Sequence, residues 1–161
     1  MELYIIFQIL IVAIAATSTM TLFSYAVSAS FREMYKEPVL LTYLLTTFKI
    51  NLPNTTKTTL AWLLHYGIGV VFVTAYHYFW ARNILELSIV HALLLGIISG
   101  FIGIISWMVL FKIANYKPSI DYKGYYIQLF VAHVIFALTA TAVYAISLTV
   151  TLLTNSYFAP K

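Results

Sequence analysis

The chain of 161 residues is 62% hydrophobic and only 9% charged, where soluble domains run roughly 45–50% apolar and about 25% charged. So short a water-soluble fold cannot hide that much apolar surface, so lipid must do the covering. Zero cysteines exclude disulfides, thiolate metal sites and cysteine nucleophiles, and a net charge of +4 spread singly along the chain is no nucleic-acid footprint.

A charged side chain near the bilayer centre costs roughly 2.5–3.5 kcal/mol even on the lenient insertion scale, so the charges mark the spans. Between Glu2 and Arg32 lie 29 uncharged residues, predicting a first helix over 4–28. A cleaved signal peptide would need a basic start, and here the only early charge is Glu2, so the helix reads as retained. In the stretch 29–57, Pro38 opens an apolar run, Val39 to Phe48, that ends in Lys49, Asn51 and Pro53. It is too short to span and predicts an interfacial helix over 38–48 with Tyr43 at headgroup depth; a partner-docking segment is the alternative. Uncharged runs of 24, 25 and 37 residues follow, predicting helices over 58–81, 87–112 and 124–153. Each run exceeds the roughly 20 residues needed to cross the hydrocarbon, and the last helix is long enough to tilt or protrude. The expected fold is a single all-α membrane domain over 1–161, a bundle of four transmembrane helices.

Arg32, Lys36, Lys49, Lys57, Lys112, Lys117 and Lys123 fall in the first and third connections, against Arg82 and Lys161 on the other side. That bias predicts loops 29–57 and 113–123 in the cytoplasm and both termini outside. The sequon at Asn54 then faces the wrong side for glycosylation. Tyr76, Tyr78, Phe79 and Trp80 at one level and Tyr116, Tyr122, Tyr125 and Tyr126 at the other read as aromatic belts.

Internal spacing suggests two related hairpins of like orientation. His65 precedes Tyr76, and His133 precedes Tyr144, by eleven residues in each case. That is about three helical turns, so each pair shares a face. Ser18, Thr21 and Tyr25 match the spacing of Gly100, Gly103 and Trp107. Such halves would be related by an axis along the membrane normal.

His65 and His133 are the ionisable residues deepest in predicted spans, roughly 12–15 Å from the basic end, while His77 and His91 belong to helix ends. The chemistry-rich reading makes His65 and His133 metal ligands, the axial pair of a b-type haem, with Gly69, Ala137, Ser18 and Gly100 leaving room for the flat ring. A second reading makes the histidines a proton relay in a small transporter. Neither a nucleophile with its base and orienting acid nor a pair of carboxylates is in evidence, which argues against an enzyme. Glu33, Glu37 and Asp121 read as solvated loop charges. The reading favoured by this sparseness is a non-catalytic subunit or accessory factor of a membrane assembly, in contact with lipid and meeting a partner or a second copy through Gly96, Gly100 and Gly103.

Overall fold

A computed structural model describes residues 2–158, apart from the side chains of Glu2, Asn155 and Phe158. Lys161, one of the two charges counted on the far side, lies outside the described residues. The described chain is all helical, with α1 over Glu2–Phe31, α2 over Glu37–Thr47, α3 over Asn54–Ala81, α4 over Ile89–Ile113 and α5 over Tyr122–Phe158. Four of these, all but α2, are long and apolar enough to cross a membrane.

Local chemistry sets the ends. Pro38 sits in the first turn of α2 and Pro53 at the cap of α3, where a missing N–H costs nothing. Ser88 caps α4 by accepting the His91 backbone N–H, and the Asp121 carboxylate accepts the N–H groups of Lys123 and Gly124 at the start of α5, both at 3.1 Å. The first four helices each stop at a residue in the left-handed region, Arg32, Lys49, Asn83 and Asn115. The N–H that follows each reaches back five residues, as in Glu33 to Ser28 and Tyr116 to Phe111.

The helices pack in an open row. α4 lies along α5, α5 along α1, α1 along α3, and α2 against α3, while α3 and α4 share no extended seam despite their short connection. Tyr4 donates to the Ser147 carbonyl at 3.2 Å and Gln8 to the Ser147 hydroxyl at 2.6 Å, pinning the start of α1 beside the end of α5. On the other side of α5, Gly96, Gly100 and Gly103 bring α4 close: a Cβ on Gly96 would lie 2.8 Å from the Val134 Cα. This glycine face is therefore used within the chain.

The helix predicted over 38–48 forms one residue earlier, with Glu37, Pro38, Leu40, Leu41 and Leu44 buried on one face and Tyr43 exposed on the other. Burying Leu40 and Leu44 completely is worth roughly 1.5–3 kcal/mol each relative to exposure, so α2 is drawn in as a plug at one end of the row. The belt aromatics divide likewise. Tyr78 is exposed, but Tyr76, Trp80 and Tyr125 are core residues, with Trp80 packed at a tilt on Tyr144, 4.5 Å between ring centroids.

Candidate functional site

The missing seam leaves a cleft of about 670 Å³ between α3 and α4, backed by α5 and α1 and closed at one end by Glu37 and Leu41 of α2. Val71, Ile84, Ile98 and Ile102 line it and are also exposed, so it opens sideways onto the outer surface of the helices. A volume of this size, an apolar wall and a few placed polar groups are the ordinary features of a small-molecule site.

The polar groups cluster toward the α2 end. His65 and His133 each stand eleven residues past the first residue of their helix, α3 and α5, and both line the cleft. Thr21 on α1 gives its hydroxyl proton to the Thr17 carbonyl at 2.6 Å, so it accepts from His65 Nε2–H at 2.9 Å. His65 Nδ1 is then a lone pair. His133 Nδ1 lies 2.8 Å from the Leu129 carbonyl, which only accepts, so the proton is on Nδ1 and Nε2 is the lone pair. The His133 ring is held between Phe72, edge-on at 5.7 Å between centroids, and Gly103, where a Cβ would come within 2.5 Å of Cε1. Only glycine leaves α4 close enough to seat that ring.

Glu37 forms the floor. Its carboxyl is buried, Oε1 accepting from the Ser24 hydroxyl of α1 at 3.0 Å and the Gln128 amide of α5 at 3.3 Å, while Oε2 has no partner. Burial pushes its pKa up to about 7, with no cation among the groups that act on it. The buried Tyr125 hydroxyl and Gln128 Oε1 beside this group also lack partners. The opposite half of the cleft, from Phe72 and Ala75 to Phe79, Leu85 and Leu94, is apolar apart from the Tyr76 hydroxyl, which donates to Ser99 at 2.9 Å.

Of the residues singled out from the sequence, His65, His133 and Gly69 meet at the cleft, and Gly103 joins them. Ser18 is exposed and bonds the Tyr66 hydroxyl at 2.9 Å, Ala137 is buried beneath Gly96, and Gly100 is occupied by the Phe130 ring. The two imidazoles do not bond one another, and Thr21 on α1 engages His65 Nε2. Among the described residues no three His, Asp or Glu side chains gather as a metal site. His77 bonds Tyr144 at 2.7 Å and His91 bonds Ser88 at 3.0 Å, both away from the cleft.

Sequence reasoning missed Glu37, placing it among solvated charges. The available signal was on the other elements: Ser24 and Gln128 are isolated polar positions in otherwise apolar helices, and each had to face something. No protein-family model, curated protein or solved structure matches this chain.

Proposed function

We propose that this is a non-catalytic, multi-pass membrane protein that acts by association, holding a lipid-soluble molecule in the cleft between α3 and α4. The observation that carries this reading is the apolar cleft itself, which opens sideways where hydrocarbon would be and narrows to a polar floor at one end. The hydroxyl bonded to His65, Thr21 Oγ1, gives its own proton to the Thr17 carbonyl, so the pair supports anchoring more than nucleophilic chemistry. An accessory factor that retains or presents a hydrophobic molecule fits the cleft. The test is titration of the detergent-purified protein with a lipophilic fluorophore. Saturable binding is expected, weakened at least about tenfold by Ala75→Trp, which fills the apolar half from an exposed position; no saturation, or an unaffected variant, would sink the proposal.

In the membrane, α1, α3, α4 and α5 would cross, α2 would sit at the cytoplasmic face, and the connection 82–88 would lie outside, a placement supported by the excess of Lys and Arg around α2 and in 113–123. Because the chain has no cysteine of its own, single cysteines report topology cleanly. Asn83→Cys should react with an impermeant maleimide on intact cells, whereas Ser119→Cys should react only after the membrane is opened. The reverse pattern would invert the orientation.

The two hairpins, α1 with α3 and α4 with α5, are read as related halves. The residue that meets His65 is Thr21, the residue that meets His133 is Gly103, and these two positions correspond in the spacing match. A true twofold would give α3 and α4 the seam that α1 and α5 have. Its loss on one side is what creates the cleft.

A further inference from the structure

The cleft carries a polarity of its own that specifies the occupant's head group. Three ionisable side chains line it, and at pH 8, where Glu37 is ionised, each offers an unused lone pair: Glu37 Oε2, His65 Nδ1 and His133 Nε2. Their protons or partners are committed elsewhere, the imidazole N–H groups to Thr21 and Leu129 and Glu37 Oε1 to Ser24 and Gln128. The other polar wall residues do not balance this. Tyr76 and Ser99 bond each other, Thr17 Oγ1 is buried beneath Gly69, Ser106 is a hydroxyl that serves either role, and the Trp107 indole is a single donor. The acceptors occupy the α2 half, and the half toward 84–85 is apolar.

Resting on the cleft reading above, we infer that the site selects single-chain amphiphiles whose head donates hydrogen bonds, an alkyl ammonium or alkyl alcohol, bound head toward Glu37 and tail toward the α3–α4 connection. A donor head satisfies acceptors that are otherwise left open in an apolar surround, whereas a carboxylate or ester head brings only further lone pairs against them. An ammonium adds attraction to Glu37 in its ionised form. Hydrogen bonds to charged groups are worth about 1.5–3 kcal/mol, so a discrimination of about tenfold or more is expected between donor and acceptor heads of equal chain length.

The test uses the full chain at pH 8 in phosphatidylcholine nanodiscs, with four competitors built on one twelve-carbon chain displacing the fluorophore: dodecylamine, dodecanol, dodecanoate and methyl dodecanoate. Dodecylamine and dodecanol should displace at mole fractions at least about tenfold below the other two. Glu37→Gln should bring the amine down to the level of the alcohol, and His65→Phe, which keeps a ring but removes the acceptor, should weaken both. Should His65→Phe fail to fold, Glu37→Gln and the four competitors still decide the matter. Equal displacement by all four, or preference for dodecanoate, overturns this inference while leaving a binding cleft in place. No binding of the fluorophore or of any competitor overturns the reading it rests on.

Discussion

Gly96→Ala is expected to destabilise the fold by about 1–3 kcal/mol, and Gly96→Val to prevent a monodisperse folded protein from being recovered. The reason is the nature of the obstacle. A Cβ at 96 meets the Cα of Val134 at 2.8 Å, the Ala137 Cβ at 3.3 Å and the His133 carbonyl at 3.4 Å, so a backbone must move, and a backbone inside a helix does not swing aside as a side-chain end does. The α4–α5 seam would have to open along its length, and Gly100 against Phe130 and Gly103 against His133 lie on that seam. Loss of the seam therefore also unseats His133 at the cleft. Gly67 is the control. Nothing lies within 4 Å of a Cβ there, and Gly67→Ala should be neutral or stabilise by up to about 1 kcal/mol through helix propensity. Thermal unfolding in detergent, followed by circular dichroism, measures both. A Gly96→Ala protein as stable as Gly67→Ala would mean the α4–α5 approach is looser than described.

The spans were legible because charge is costly in hydrocarbon: the intervals free of Lys, Arg, Asp and Glu bracket α1, α3, α4 and α5 to within a few residues. The larger miss is at the end of α5, which runs on to Phe158 where the expectation stopped at 153. The existence of α2 was legible from Pro38 and the run behind it, but its burial was not, since whether a short apolar helix lies flat or plugs a bundle depends on what stands opposite. Here Ser24 and Gln128 stand opposite and take in Glu37. His65 and His133 could be found by depth and spacing, and Gly69 by its distance from His65. Their bonds could not, because a hydrogen bond to Thr21 or to the histidine's own helix leaves the same sequence pattern. Aromatic type likewise failed to separate Tyr78, which is exposed, from Tyr76 and Tyr125, which are core. The open seam between α3 and α4 had no signature at all: a contact that is not made requires no residue.

Glu37→Gln should make the protein more stable than the parent at pH 8 and leave it little changed at pH 5. The folded carboxyl has its pKa pushed up to about 7 by burial, against 4.5 in the unfolded chain. Folding thus favours the protonated form. Below pH 4.5 both states are protonated and no penalty is felt. As pH rises from 4.5 toward 7 the unfolded chain gives up its proton first and stability falls; above about 7 the buried group is ionised as well and the loss is complete. A difference of that size corresponds to about 3 kcal/mol, in the direction opposite to that of a salt-bridged surface acid. Glutamine keeps a carbonyl oxygen for Ser24 and Gln128 but never charges, so its melting temperature should be flat between pH 5 and 8 where the parent's declines. The amide brings an N–H₂ to the place of the unpartnered Oε2, which accounts for any small deficit at pH 5. Parallel flat profiles for parent and variant would mean that Glu37 is hydrated in solution, and that α2 does not seal the end of the cleft as its buried Leu40 and Leu44 indicate.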